Sequence, residues 1–192
     1  MMRRIFLLVA SAFLLSACAT GGTVVTSSGT GQAKIYRISR ADTAKIQFRM
    51  LDSVNALRRA AGTSDLKLNA QLNAAAATHS RDMAVQNRPW HFGSDGSSPI
   101  ERVLRTGYPL TMLGENISES FETELETLAA WMELPDTRAV IVDPKGRDLG
   151  FAWHQEPGGK IWWTLIVGGG GPAPLAPIPT PESDPVEEIP QG

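Results

Sequence analysis

The 192-residue sequence has only one cysteine, Cys18, and it lacks both a dense block of basic residues and a long hydrophobic run. A single cysteine cannot form a disulfide within the chain, so a folded domain must be held together by its own core. The formal net charge of −2, with no densely basic segment, argues against a nucleic-acid partner. The longest apolar stretch, 5–17, is well short of the roughly 20 residues that a membrane-spanning helix needs.

That short apolar stretch has the features of an export signal. It follows Arg3 and Arg4 and ends in Leu15-Ser16-Ala17-Cys18, which resembles the processing site of bacterial lipoproteins. The resemblance implies that residues 1–17 are a signal peptide and that acylated Cys18 anchors the protein to a membrane. Ala19 is compatible with the outer membrane, so we expect a lipid-anchored protein of the bacterial cell envelope. A twin-arginine signal and an uncleaved anchor are the alternatives.

Composition divides the remaining chain into three parts. Residues 18–40 combine Cys18 with a stretch rich in Gly, Ser and Thr, which predicts a flexible tether. Residues 172–192 are rich in proline and acidic residues, which predicts a disordered tail that acts as a spacer or, alternatively, as a recognition segment. The intervening segment, 41–171, has a normal size for one domain, and we expect a monomer.

Hydrophobic spacing within 41–171 predicts helices first and strands last. Asn69 is a predicted N-cap, Ser98 and Glu101 form a predicted capping box, and Pro135 is expected to end a helix. The four predicted helices are 43–60, 69–87, 98–106 and 123–134. After Asp143 the pattern alternates and predicts a β-hairpin around the turn 157–159. This order is typical of an α+β domain.

Two residues in the middle of the chain are candidates for chemistry. His91 lies in a predicted loop after the second helix, and Glu115 lies in Gly114-Glu115-Asn116-Ile117. An imidazole and a carboxylate that meet could share a proton, position a water or contribute two metal ligands. The alternative is that both are separate, solvated surface groups.

A series of short motifs resembles bacterial members of the cysteine-rich secretory, antigen-five and pathogenesis-related superfamily (CAP, also called SCP). The resemblance covers about residues 45–168 and implies an α-β-α sandwich with a small antiparallel sheet and a large open cleft. The motifs are, in order, His79-Ser80-Arg81-Asp82-Met83-Ala84, His91 with Ser94-Asp95-Gly96, Arg102 through Gly107-Tyr108, Gly114-Glu115-Asn116-Ile117, Trp131-Met132, Arg138-Ala139-Val140-Ile141, Gly150-Phe151-Ala152 and Trp162-Trp163.

The resemblance also implies which residues face the cleft. Family members gather two histidines and two glutamates there, and His91 and Glu115 match the first of each. Thr137 occupies the position of the second histidine, and Leu134 that of the second glutamate. We therefore expect His91, Glu115 and Thr137 to line a degenerate cleft.

Two matched ligands are fewer than the three or more protein ligands that a zinc site generally has. We therefore expect no cofactor. A weakly held divalent metal at His91 and Glu115 remains an alternative, with Asp136, Glu133 or His154 as further ligands.

Other polar residues near the motifs are given structural roles. His79 shares a predicted helix face with Met83 and alanines, so we expect a packed histidine whose hydrogen bonds are satisfied, with a role in the cleft as the alternative. The hydroxyls of Ser94, Ser97 and Ser98 fall in a turn and a helix cap, where they satisfy backbone groups. No supported nucleophile remains.

These observations favour a binding module over an enzyme. Its partner would be a lipid-like small molecule, a peptide or a component of the cell envelope. The alternative is a hydrolase of peptide or envelope material in which Glu115 is the general base and His91 its partner. A purely structural role near the outer membrane is a third hypothesis.

Overall fold

The structure, a computed structural model, describes residues 36–173. The predicted signal peptide, Cys18 and most of the predicted tether and tail lie outside these residues. Five helices and four strands follow a short 3-10 helix, Arg40–Asp42. Their bounds are α1 Thr43–Ala60, β1 Lys67–Leu68, α2 Ala70–Gln86, α3 Pro99–Arg105, β2 Leu110–Glu119, α4 Glu124–Glu133, α5 Pro135–Val142, β3 Gly146–Gln155 and β4 Ile161–Pro172.

The four predicted helices are present, and a side-chain cap marks the start of α2, α3 and α4. The Asn69 side chain accepts a hydrogen bond from the Leu72 amide at the start of α2, and Asn87 ends that helix in a left-handed conformation. Helix α3 begins with the predicted capping box of Ser98 and Glu101. Residues next to these termini therefore determine where α2 begins and ends and where α3 begins.

Three elements were not predicted from the sequence. Pro135 does end α4, but it is also the first residue of α5, a position at which proline is common. Strand β1 has only two residues, too few to show a period. Strand β2 lacks regular alternation of buried and exposed residues and is bulged near Leu113, which hides its period.

The strands form one sheet in the order β1-β3-β4-β2. The predicted hairpin of β3 and β4 is antiparallel, with Phe151 opposite Leu165 and Trp153 opposite Trp163. Strand β2 is antiparallel to β4 and lies at one edge, whereas β1 is parallel to β3 at the other edge. The edge strand β2 carries Glu115 opposite Ile166, which gives the candidate carboxylate a fixed position.

Helices cover both faces of this sheet. Because side chains alternate along a strand, neighbouring residues of β3 and β4 contribute to two separate cores. The first core packs α1, α4 and α5 on one face; it includes Met50, Val54, Trp131, Ile141, Phe151, Trp163 and Leu165. The second core packs α2 and α3 on the other face; it includes Leu72, Ala75, Ala76, Val103, Ala152 and Ile166. The predicted α-β-α sandwich is confirmed.

Helix α2 lies very close to the sheet. A Cβ atom at Gly150 of β3 would be 2.3 Å from the carbonyl carbon of Leu72, so this position requires glycine. The close approach places the inner face of α2, including His79, directly over the sheet beside Glu115.

The folded part extends slightly beyond 41–171 at both ends. The Ile38 amide donates to the Gln155 side chain, whose Nε2 donates to the Tyr36 carbonyl. The Ala173 amide donates to the Pro109 carbonyl. Residues 36–40 thus contact the domain within the range predicted as tether. In residues 36–173, none of the helices has both the length and the apolar character needed to cross a membrane.

Candidate functional site

The structure brings His91 and Glu115 together, although they are 24 residues apart in the chain. The Nδ1 atom of His91 is 2.9 Å from Oε1 of Glu115. The Glu115 side chain is 1% exposed, whereas that of His91 is 50% exposed. An ionised carboxylate can only accept, so Nδ1 carries the proton and donates it to Glu115. In the neutral ring, the Nε2 atom is then an acceptor on a side chain that is half exposed.

The two residues are positioned by different elements. Glu115 belongs to β2, which is held by its ladder with β4. His91 lies in the loop between α2 and α3, which we call the His91 loop, residues 87–98. Its main chain is braced where the Ser94 amide donates to Asp82 and the Gly93 amide donates to the Ser97 carbonyl. These bonds limit the movement of the imidazole relative to the sheet.

Arg102 of α3 is the partner of the buried carboxylate. Its Nη2 atom lies 2.8 Å from Oε2 and 3.1 Å from Oε1 of Glu115, and it also donates to the His91 carbonyl. The Arg102 side chain is only 5% exposed. One guanidinium thus neutralises Glu115 and holds the His91 loop at the same time.

The sequence motif contained Arg102 but gave it no role. Helix α3 also carries Arg105, which is exposed and pairs with Asp95. Helical spacing in seven residues does not distinguish the inward arginine from the outward one, so no local signal would have identified Arg102.

The surroundings of Glu115 keep it ionised. Burial by itself would raise the pKa of Glu115, but the hydrogen bond from His91 and the Arg102 guanidinium outweigh burial. The pKa of Glu115 therefore lies below its ordinary value. A carboxylate that is buried, paired and hard to protonate is a weak general base.

His79 of α2 completes the buried side of the site. Its ring is fully buried, and Nε2 lies 3.6 Å from Oε1 of Glu115, beyond hydrogen-bond distance. Neither ring nitrogen has a hydrogen bond of ordinary geometry within residues 36–173, although the Trp90 carbonyl faces the ring. Burial lowers the pKa of His79, so the ring is held neutral beside the carboxylate.

The expectation for His79 is thus only half confirmed. The ring is packed on the inner face of α2, as the sequence indicated, but its hydrogen bonds are not satisfied by the residues that the structure describes. The physical reason is its position over Glu115, whose oxygens are already taken by Arg102 and His91.

Thr137 lies near the start of α5. Its hydroxyl donates to the Trp131 carbonyl, 2.5 Å away, and is 3.3 Å from the Leu134 carbonyl. The side chain of Asn116 donates to the Thr137 carbonyl. Asn116 follows Glu115 on β2 and therefore points to the opposite face of the sheet. The Thr137 hydroxyl is thus engaged with main chain, and its role in a cleft stays a prediction.

The geometry around Glu115 does not favour a metal ion. A cation bound between His91 and Glu115 would have to displace the proton on Nδ1 and compete with the Arg102 guanidinium. Glu133 and Asp136 are exposed at the junction of α4 and α5. His79 and His91 both lie near Oε1 of Glu115, but Arg102 already pairs with that carboxylate, and no group of His, Cys, Asp and Glu side chains in residues 36–173 has the arrangement of a metal site.

Solved structures show which known proteins share this fold. An extracellular protein of Bacillus anthracis that contains an SCP domain superposes with a TM-score of 0.61 at 18% identity, over 70% of this chain and 45% of that one. An outer surface protein of Borrelia burgdorferi gives 0.57 at 15% identity, over 67% and 95% of the two chains. A cysteine-rich secretory protein of Staphylococcus aureus gives 0.53 at 16% identity, over 70% and 41%.

Sequence comparison gives the same result. The uncharacterized protein YkwD of Bacillus subtilis is 27% identical over 120 residues, which is 62% of this chain and 46% of YkwD. The chain thus spans less than half the length of this relative. The sequence model of the cysteine-rich secretory protein family, CAP, matches residues 51–167. That range is more than half of the chain and contains both His91 and Glu115, and the chain therefore belongs to the CAP family.

Proposed function

We propose that this protein is an extracytoplasmic binding module that recognises its ligand at His91. The observation that carries the proposal is the half-exposed imidazole, which a buried carboxylate holds through Nδ1. The carboxylate sets the tautomer and the direction of the ring, and the ring offers Nε2 to a ligand. A hydroxyl or amide N–H of the ligand would donate to this atom.

The aromatic residues beside His91 suggest the rest of the ligand. The rings of Trp90 and Phe92 lie 5.5 Å apart, and Phe92 is 47% exposed. The Arg88 guanidinium lies over the Trp90 ring, 3.9 Å from its centroid. An apolar surface next to a polar acceptor suits a molecule with both characters. We therefore favour a lipid-like molecule or a peptide that carries a hydroxyl or amide donor.

Catalysis receives less support from the same geometry. Arg102 and the lowered pKa make Glu115 unsuited to the role of general base that the hydrolase hypothesis gave it. If hydrolysis occurs, His91 would be the base and Glu115 the residue that orients it. Of the nearby serines, the Ser98 hydroxyl is engaged in its capping box and the Ser97 hydroxyl with Asp95.

We also propose a location outside the cytoplasm. The structural neighbours include an extracellular protein and an outer surface protein, which supports the cell envelope. Lipidation of Cys18 remains the proposed anchor. Separation of membrane and soluble fractions, followed by mass spectrometry of the N-terminal peptide, tests this part.

Ligand retention tests the proposed site. The full chain is incubated with bacterial envelope material extracted in organic solvent or in water. It should retain a molecule that mass spectrometry then identifies. His91→Ala should lower its occupancy at least roughly tenfold, because a hydrogen bond and its apolar surroundings together contribute about 1.4 kcal/mol or more. Glu115→Gln should also lower occupancy, because a neutral amide oxygen holds the Nδ1–H of His91 less strongly than a carboxylate does.

His154→Ala is the matched control, because His154 lies on β3 and is not among the residues that hydrogen-bond to or form an ion pair with Glu115. It should retain the ligand as the original chain does. Equal retention by His91→Ala would contradict the proposed site. Turnover of a retained molecule that His91→Ala abolishes would instead support the hydrolase.

A further inference from the structure

A cavity of about 410 Å³ lies beside β3, at the opposite edge of the sheet from Glu115. It is enclosed by α1, α2 and the segment that leads into α1, and neither His91 nor Glu115 lines it. Its volume is within the range of ligand pockets, roughly 300–1,000 Å³. The residues of its lining that matter here are Thr43, Gln47, Asn73, Ala77 and Trp153.

Side chains of the two helices take the place of a strand along part of this edge. Strand β1 pairs only with Asp148 and Leu149 of β3. Further along β3, the Phe151 amide donates to Oδ1 of Asn73 at 2.7 Å, and the Phe151 carbonyl accepts from Nε2 of Gln47 at 2.8 Å. One amide oxygen and one amide N–H thus satisfy the main chain of Phe151.

Trp153 is the next residue whose main chain points to this edge. In an antiparallel ladder, main-chain groups two residues apart point to the same side, and the register with β4 is regular from Phe151 to Trp153. Neither the N–H nor the C=O of Trp153 has a hydrogen-bond partner in the part of the chain that the structure describes, 36–173. Main-chain groups without a protein partner face water in folded proteins, and the open space beside Trp153 is the cavity.

The spacing of the helices explains why the pairing stops at Phe151. Helix α2 runs in the same direction as β3 and α1 in the opposite direction. Four helical residues rise about 6 Å, nearly the length of two strand residues. The positions level with Trp153 are therefore Ala77, four residues after Asn73, and Thr43, four residues before Gln47. Neither side chain supplies the missing amide groups, and both line the cavity.

We propose that this cavity binds a peptide segment along the edge of β3. A carbonyl of the peptide accepts from the Trp153 amide, and an N–H of the peptide donates to the Trp153 carbonyl. This repeats the pair of bonds that Asn73 and Gln47 make at Phe151, and an extended main chain carries both groups in the arrangement of an added strand. The site is independent of the function proposed for His91, because the two lie at opposite edges of the sheet.

A capped tripeptide, acetyl-Ala-Ala-Ala-N-methylamide, is the probe that tests the proposal. In the free full chain, labelled with ¹⁵N, we expect the amide of Trp153 to exchange with solvent faster than that of Phe151. Added peptide should shift the Trp153 amide signal saturably and slow its exchange. The same peptide with every amide nitrogen methylated cannot donate, and it should bind at least about fivefold more weakly, the usual effect of one lost hydrogen bond.

Two substitutions should fill the site from within. Ala77→Asn places an amide oxygen level with the Trp153 N–H, and Thr43→Gln places an amide N–H level with its carbonyl. Each should weaken peptide binding about fivefold by replacing one of the two bonds. Thr43 is exposed, so Thr43→Gln should keep its fold.

Ala84→Asn and Ala44→Gln are the matched controls, because these alanines lie on the same two helices and do not line the cavity. Both should bind the peptide within about twofold of the wild-type protein. The proposal is overturned if the peptide causes no saturable shift at Trp153, or if Trp153 in the free chain is as protected from exchange as Phe151. Equal binding by Thr43→Gln and Ala44→Gln together with equal binding by the two asparagine variants also overturns it.

Discussion

Arg102→Met should lower the free energy of unfolding by about 3–5 kcal/mol at pH 7, the usual effect of removing one partner of a buried ion pair. Arg102 and Glu115 have side chains that are 5% and 1% exposed. Without the guanidinium, the ionised Glu115 carboxylate would stay buried with only His91 as a donor. Denaturant unfolding of the original chain and the variant measures the difference.

Arg105→Met is a control on the same helix. Arg105 also pairs with a carboxylate, that of Asp95, but these side chains are 61% and 53% exposed. The expected loss is therefore below about 1 kcal/mol. Similar losses of unfolding free energy in the two variants would show that burial does not strengthen the Arg102–Glu115 pair.

The effect of Arg102→Met should also depend on pH. In the original chain, the pKa of Glu115 lies below its ordinary value of 4.5, so Glu115 contributes stability above that pH, and the contribution is lost as the pH falls. In the variant, burial acts against the charge with less opposition, and the pKa of Glu115 rises. The difference in the free energy of unfolding between the wild-type protein and Arg102→Met should therefore shrink as the pH falls toward 4.5.

His79 should make the protein less stable at mildly acidic pH. In the unfolded chain His79 takes up a proton near pH 6.5, whereas burial lowers its pKa in the fold. Between these two pKa values only the unfolded chain is protonated at this residue. The free energy of unfolding should therefore fall as the pH drops below 6.5, by up to about 1.4 kcal/mol per pH unit.

His79→Gln should remove the contribution of His79 to the pH dependence of the free energy of unfolding below pH 6.5. This holds whatever the substitution does to stability at pH 7. Met83→Leu is the comparison, since Met83 is fully buried on the same helix and does not titrate. It should keep the pH dependence of the original chain. A slope that is unchanged in His79→Gln would show that the imidazole is charged or accessible in the fold.

Local signals in the sequence were sufficient for the helices that they cap. Asn69, Ser98 and Glu101 act on amides within three residues, so their effect can be read without knowing the rest of the fold. The β3–β4 hairpin was also predictable, because a short turn joins two segments whose large apolar residues recur at every second position, such as Leu149, Phe151 and Trp153. The motifs of the family resemblance then indicated that His91 and Glu115 would meet.

The features that could not be predicted from the sequence depend on contacts between residues that are far apart in the chain. Strand β2 is defined by its pairing with β4, which follows it by some 40 residues, and not by its own pattern. The inward position of Arg102 depends on where β2 places a buried carboxylate. The unsatisfied ring of His79 depends on how closely α2 approaches Gly150. None of these relations is present in a local window of residues.

The buried Glu115 carboxylate holds the half-exposed His91 ring through Nδ1 and leaves Nε2 of the neutral ring as an acceptor. Long-range ¹H–¹⁵N NMR of the histidine rings tests it most directly, because the two ring nitrogens have different shifts when one is protonated and the other is not. We expect the neutral ring of His91 in the Nδ1–H form, and a mixture of tautomers in Glu115→Leu. The Nε2–H form in the wild-type protein, or the same spectrum in Glu115→Leu, would show that Glu115 does not fix the His91 ring.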